Sequence, residues 1–398
     1  MKKILLLGGS TQQVPAIEYS KKKGYYTILC DFLPNNPGQH YAEKFYCLST
    51  TDKEKMLEIA KKEKVDGVVA YASDPAAPTA AYVSEKMGLS TNSYKSVEIL
   101  AYKDKFRDFL KKNNFNCPHA EYFKSYEEAE KSINRFRLPV IVKPIDSSGS
   151  KGVNRVDSIK QFKRLFDLAM ENSKSKNVIV EEFIKMDHKY MVGGDCFVLN
   201  GKVSFCGLLN CHRNSNVNSL VPVGKSYPVQ ISQLRVNKIK EEIQKVVDLL
   251  DIKFGGFNLE IMFDNEGRLY LIEMGPRNGG NMIPELLNIS TGVDLVAATV
   301  ETAMGNSNID VKYFEKESYF STFNLHTDKK GLLKDVIFDK QVENKIIKKV
   351  LYKKQGDLVQ YFDGANKAIG IIFLKFNSMD EMINIMDNSS EKIKIIVD

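Results

Sequence analysis

From Lys3 to about Thr91, short apolar runs, "ILLLGG", "YTILCD", "KFYCL" and "DGVVAYAS", alternate with segments of helical spacing. That alternation predicts parallel strands covered by helices, a doubly wound layout. In "SVEILAYKDKFRDFLKKNN" the apolar positions Val97, Leu100, Phe106, Phe109 and Leu110 recur with helical period, which puts Lys103 and Lys105 on a helix. Amphipathic helices are predicted at "SYEEAEKSINRF" and "SIKQFKRLFDLAMEN", on either side of the strand "LPVIVKP". Strands follow at "NVIVEEFI" and from Asp195 to Asn210, the latter folded on an "NGK" turn. Arg213 to Ser226 reads as a polar loop, then come the helix "LRVNKIKEEIQKVVDLLD" and the strands "FNLEIMF" and "RLYLIEM". Beyond about Asn306 the chain is lysine-rich, with strand signals in "YFSTFNLHT", "AIGIIFLKF" and "KIKIIVD" and no catalytic constellation.

The 398 residues, 43% of them hydrophobic, suffice for two or three domains. A net charge of +7, from 57 basic and 50 acidic residues spread along the chain, fits an ordinary soluble protein and gives no nucleic-acid signature. "MKKILLLGG" reads as a first strand, because its apolar run meets glycines where a secretion signal has a small-residue cleavage site. No apolar stretch reaches the roughly 18 residues of a membrane helix, so a cytoplasmic protein without a membrane partner is expected. The six cysteines contain no CxxC pair. Cys206, Cys211 and His212 lie on or beside a strand-like stretch, which reads as buried thiols in preference to a metal site.

Two loops of the first stretch lie where doubly wound sheets bind ligands, "GGSTQQVP" after the first strand and Asp31 after the second. The glycines lack the G-x-G-x-x-G spacing, which argues against a nicotinamide cofactor and for a small-molecule contact or plain turn chemistry. "SDPAAPTAAY", from Ser73, fits a turn and helix start.

Lys143 ends the apolar run "VIV", where an ammonium needs solvent or an anion, and a phosphate would satisfy it. The following "SSGSKG", Ser147 to Gly152, offers backbone amides that can wrap phosphate oxygens, although the spacing is not that of a Walker loop. In "FNLEIMFDNEGRLYLIEMGPR" a turn of two or four residues would pair Phe263 with Arg268 and Glu260 with Leu271. Asn258, Glu260, Leu271 and Glu273 then share one face, while Ile261, Phe263 and Ile272 share the other; a three-residue turn breaks this parity. Two carboxylates on one strand face suit a hard cation, and magnesium suits a nucleotide site. Arg277 adds a planar fork for carboxylate or phosphate oxygens.

In order, "KDK", "VIVKP" with "SSGSKGV", "VIVEEFI", "NLEIMF" and "LIEMGPRNGG" resemble the ATP-grasp superfamily, which includes phosphoribosylglycinamide synthetase, biotin carboxylase, carbamoyl-phosphate synthase and amino-acid ligases. The resemblance implies an α/β architecture with the ATP-grasp fold: an N-terminal doubly wound, Rossmann-like domain over 1–95, an ATP-grasp domain over 96–305 with a flexible lobe at about 115–180, and a small C-terminal α+β domain over 306–398. By position it implies that Lys105 and Lys143 contact ATP phosphates while Ser147, Ser148, Gly149, Ser150 and Gly152 close over them. Glu181, Glu182, Phe183 and Ile184 would form the adenine hinge, Glu260 and Glu273 would hold magnesium or manganese, and Arg277 would be catalytic, steadying the reacting carboxylate or its acyl phosphate. The chain departs from the family pattern twice. Lys189 stands where a ribose-binding acid is expected, with Asp187 or Asp195 as substitutes, and Gly275 replaces the asparagine of E-x-N-P-R, leaving a water, Asn258 or Asn278 to complete the metal site.

The activity implied is that of an ATP-dependent ligase joining a small-molecule carboxylate and an amine through an acyl phosphate, with ADP and phosphate released. The alternatives are phosphoribosylglycinamide synthesis itself and a noncatalytic ATP-binding regulator. A homodimer is the assembly suggested by family analogy.

Overall fold

The computed structural model describes the chain except Ser148, 215–217 and 314–317, and the side chains of Asn218 and Ser219. The first sheet is parallel: Lys3–Leu7 lies between Tyr26–Asp31 and Gly67–Val69, with Lys44–Cys47 outermost. Its strands are apolar on both faces because helices cover both, and Ile4, Leu5, Leu6 and Leu7 are all buried. Asp31 serves this domain internally, since its carboxylate accepts from the Gly9 and Leu33 amides at 2.7 and 2.8 Å. Gly9 is required for closeness alone, as a Cβ there would lie 2.1 Å from Asn36 Oδ1.

A second sheet is antiparallel, in the order Ala120–Phe123, Val178–Glu182, Val140–Pro144 and Asn154–Val156. Period two decides its faces. Val140, Val142, Val178 and Val180 pack beneath the helix Ile159–Glu171 with Phe162 and Phe166, which turns Ile141, Lys143 and Glu181 to the opposite side.

The largest sheet has eight strands, ordered Leu269–Gly275, Gly255–Phe263, Met191–Leu199, Lys202–Asn214, Asn218–Tyr227, Tyr319–Leu325, Gly370–Phe376 and Ile346–Leu351. One face packs on the helix Gln233–Leu249, the other on Ile283–Thr291 and Leu295–Ala303. The chain beyond Asn306 therefore completes this sheet, and its remaining strands form a small sheet of Leu358–Val359, Gly331–Phe338 and Ile393–Val397. No single helix among the described residues is long and apolar enough to cross a membrane.

Two sequence expectations are corrected here. The polar loop from Arg213 to Ser226 is largely strand: Val221 and Val223 alternate into a core with Phe323 and Leu325, so polar residues between them mark a two-faced strand. The hairpin pairs Phe263 with Leu269, Met262 with Tyr270 and Ile261 with Leu271, one residue off the expected register, because Asp264 to Arg268 form the turn and the Asp264 amide donates to the Arg268 carbonyl at 3.1 Å. A β-bulge at Ile272 then restores parity, so that Glu260 lies directly opposite Glu273. Leu271 consequently enters the core while Ile272 faces the cleft, the reverse of the expected assignment.

Candidate active site

The first, second and largest sheets meet around a cleft of about 840 Å³, lined from every part of the chain. Lys143 enters from the second sheet, buried, with Nζ 2.6 Å from Glu181 Oε2. Glu181 Oε1 takes the Nε of Arg107 at 2.7 Å, and Arg107 Nη2 donates to the Ile272 carbonyl at 2.9 Å. Burial opposes ionisation of Glu181, but Arg107 and Lys143 override it and hold the carboxyl down at about 2. Burial, together with the Arg107 and Lys103 charges, pushes the Lys143 ammonium below the usual lysine range against the pull of Glu181. A carboxylate of the protein thus answers the charge at the strand end that a phosphate was expected to answer, and the Glu181 side chain is committed to that task.

Lys103, not Lys105, shares the cleft with Lys143. Both lie on the helix Lys103–Lys112, and two residues turn a helix by roughly 200°, which sends them to opposite sides. Lys103 Nζ donates to the Ser147 carbonyl at 2.6 Å, whereas Lys105 Nζ pairs with Glu98 at 2.6 Å outside the cleft lining. Arg107, one turn after Lys103, shares its face. That i, i+4 relation was readable from the sequence once the helix start was known.

The Gly/Ser loop lies over these lysines. Ser147, Gly149 and Ser150 line the cleft, and Ser150 Oγ donates to the Leu220 carbonyl at 3.1 Å. Gly152 is outside the lining and serves the turn: its φ is +70° and a Cβ there would lie 2.8 Å from Asn172. Ser148 lies outside the described residues.

Glu181, Glu182, Phe183 and Ile184 form one wall. The Glu182 amide is bound by the His119 carbonyl at 2.9 Å and the Phe183 amide by that of Pro139 at 3.1 Å, while Ile184 has no backbone hydrogen bond among the described residues. Arg155 lies over the Phe183 ring, 4.4 Å from its centroid.

Asn258, Glu260, Met262, Ile272 and Glu273 line the facing wall. Neither the Glu260 nor the Glu273 side chain has a hydrogen bond or ion pair among the described residues. Burial, and then the Glu260 and Asp74 charges, push the Glu273 carboxyl above the usual range although Lys103 and Arg277 pull it down. No group of three or more His, Cys, Asp or Glu side chains is arranged for a metal among the described residues. Two opposed, partnerless carboxylates still fit magnesium, which takes few protein ligands and fills its shell with phosphate and water oxygens.

The departures from the family pattern have structural answers. Lys189 pairs with Asp387 of the C-terminal segment at 2.5 Å, and Asp187 pairs with Arg235. Asp195, fully buried, accepts from the Gly279 amide at 2.8 Å and from Asn258 Nδ2 at 2.9 Å; burial raises its carboxyl to about 6. Asn278 is buried behind the wall, accepting from Thr299 Oγ1 at 2.7 Å, and does not line the cleft. Arg277 is in the lining, but its fork already grips Asp74, in the turn between the strand Gly67–Val69 and the helix Ala77–Met87. Lys225 also lines the cleft, with Nζ 2.6 Å from Cys211 Sγ, and His212 Nε2 is 2.8 Å from Ser226 Oγ. Asp74 and Lys225 left no signal in the sequence, because their partners are set by strand register and by a contact 203 residues away in the chain.

Residues 108–283 match the family model of the ATP-grasp domain. The carbamoyl phosphate synthase large chain of a Thermoanaerobacter species is 24% identical over 266 residues, which is 65% of this chain and only 24% of that protein. Among solved structures, the L-amino acid ligase from Bacillus licheniformis superposes with a TM-score of 0.80 at 19% identity, over 100% of this chain and 99% of that one. The phosphoribosylglycinamide synthetase from Anaerococcus prevotii gives 0.76 at 22% identity, with both chains covered over 100%. The chain therefore shares the fold of these solved structures, and within it residues 108–283 match the ATP-grasp domain model.

Proposed function

We propose that the chain is an ATP-dependent ligase that activates a small-molecule carboxylate as an acyl phosphate for attack by an amine. The observation that carries this reading is the opposition of Lys103 and Lys143 on one wall to the partnerless Glu260 and Glu273 on the other. A triphosphate between them meets ammonium groups on one side. On the other, Glu260 and Glu273 would hold a magnesium or manganese ion, which would supply charge neutralisation to the phosphate oxygens. The amide and carbonyl of Ile184, without backbone partners among the described residues, match the hydrogen-bonding edge of adenine, with Phe183 beside it.

In the first step a carboxylate oxygen attacks the γ-phosphorus and the bond to the departing ADP oxygen breaks. In the second the amine lone pair attacks the acyl carbon, phosphate leaves with the bonding electrons, and the proton shed by the nitrogen goes to that phosphate. Positioning and charge neutralisation suffice for the phosphoryl step, so no side-chain nucleophile is called for. Lys103 and Lys143 neutralise the phosphates, Arg277 orients the carboxylate with the donors it has left, and the Gly/Ser loop keeps water from the acyl phosphate.

The test is incubation of the full chain with ATP, magnesium and pools of carboxylates and amines while ADP is followed. ADP release that requires both partners supports the ligase. Nucleotide binding without ADP release in any pool makes the chain a binder without catalysis.

A further inference from the structure

Arg277 carries five N–H donors. Nε donates to Asp74 Oδ1 at 2.6 Å, Nη2 donates to Asp74 Oδ2, and Nη1 donates to the Asn278 carbonyl at 2.9 Å. One N–H on each terminal nitrogen is therefore left without a partner among the described residues. Because Asp74 grips the edge formed by Nε and Nη2, the donor left on Nη2 points away from it, beside Nη1.

Asp74 is itself fixed by the start of a helix. The Ala77 amide donates to the Ser73 and Asp74 carbonyls at 3.1 and 3.3 Å, where the helix Ala77–Met87 begins. Its side chain and that of Arg277 are only 18% and 10% exposed, so the pair is largely shielded and both partners hold well-defined positions. The glycine at 275 leaves room for it. A Cβ at Gly275 would stand 3.0 Å from Asp74 Oδ1, and a longer side chain would compete for the space that the carboxylate fills.

The alternative partner for Arg277 is close at hand. Glu273 lines the same cleft as Arg277 and Asp74, and its carboxylate has no ion pair of its own among the described residues. An Arg277 released from Asp74 would be drawn to Glu273, cancelling one of the twin acids and turning its free donors out of place.

We infer that Asp74 is a positioning residue, which holds Arg277 away from Glu273 and presents its two remaining donors to an anionic group in the cleft. The turn before the helix Ala77–Met87 thereby contributes to the reacting end of the site through one carboxylate, and Gly275 leaves room for that contact. The kinetic consequence rests on the ligase reading; the geometry does not.

The test uses the full chain with arginine labelled in 15N, as wild type, D74N and G275N, with R277K to assign the Arg277 Nε–H resonance. In wild type that resonance is expected to be sharp and slow to exchange with solvent. In D74N and G275N it should shift and broaden, and the apparent magnesium affinity should fall about tenfold as Arg277 turns to Glu273. With an identified substrate pair, kcat should fall about 10- to 100-fold while KM for ATP changes by less than about twofold. An unchanged Nε–H resonance in both variants overturns the inference, as does an equal fall of kcat and rise of KM for ATP. Should D74N not fold, G275N reads the same contact with the acid retained. If no carboxylate and amine pool supports ADP release, the ligase reading fails while the resonance still decides the role of Asp74.

Discussion

The two walls of the cleft hold their charges in opposite ways. On one, Arg107, Glu181 and Lys143 form a buried triad in which every charge has a partner at 2.6 or 2.7 Å. On the other, Glu260 and Glu273 face each other across a strand pair with no partner among the described residues. The triad leaves one cation in excess, Lys103 adds a second to that wall, and the facing wall holds two anions. A triphosphate with a divalent ion complements both, whereas the second wall alone is a source of repulsion. Self-sufficient charge builds the scaffold, and unmatched charge marks where a ligand is to come.

The sharpest way to break this contrast is to remove the anion of the matched wall. Glu181→Gln leaves Arg107 and Lys143 buried beside each other, a change expected to cost about 3–5 kcal/mol of stability, measured by denaturant unfolding. An unchanged midpoint would mean that the triad is not what holds that wall. Glu273→Gln acts on the unmatched wall and should do the reverse to the ligand-free protein. Its carboxyl is pushed above the usual range, so the unfolded state gives up its proton first and the folded state loses stability as pH rises through the carboxylate range. The glutamine variant should therefore be at least as stable as wild type at pH 7, yet bind magnesium and nucleotide together about 10- to 100-fold more weakly by calorimetry.

A third buried acid sharpens the difference between paired and unpaired carboxyls. Glu285, in the first turn of the helix Ile283–Thr291, has both oxygens buried without a hydrogen-bond partner among the described residues. Burial pushes it up to about 7, with Asp195 and Asp294 adding to the rise and its own amide and Lys348 opposing it; Tyr71 and Tyr352 feel its charge in turn. Glu181, equally buried but paired, sits at about 2. The signs follow. The Glu181 contribution is complete above the unfolded carboxylate range and is lost as pH falls toward 2. The Glu285 contribution is complete below that range and is lost as pH rises from there to 7. Glu285→Gln should remove a decline on the order of 2 kcal/mol between about pH 5 and 8, read from thermal unfolding across that interval; a decline of wild-type size in the variant would place the titration elsewhere.

What the sequence could disclose followed the range of the forces involved. Lys143 was visible because period-two burial and a charge at the end of an apolar run are local, and so was the Glu260 and Glu273 face. Their direct opposition was not, because it depends on a turn from Asp264 to Arg268 and a bulge at Ile272 whose effects on parity cancel. The strand Asn218–Tyr227 was hidden by its polar face, and its pairing to Tyr319–Leu325 is a contact between distant parts of the chain. Asp74 looked like turn chemistry, which it is; its hold on Arg277 needed the N-terminal sheet docked against the cleft.

The smallest effect tests the finest of these distinctions, between two lysines of one helix. Lys105 and Glu98 form a partly exposed pair, with side chains 42% and 26% accessible, for which less than about 1 kcal/mol is expected. Lys105→Ala should therefore leave nucleotide affinity within twofold of wild type and shift the unfolding midpoint only slightly. Lys103→Ala removes an ammonium at the cleft and should weaken ATP binding about tenfold, with little change in stability because Lys103 bonds a loop carbonyl and no buried acid. Calorimetry on the two variants side by side separates the outcomes. Equal losses would mean that the helix turns both lysines to the phosphates, and the division of its faces would have to be redrawn.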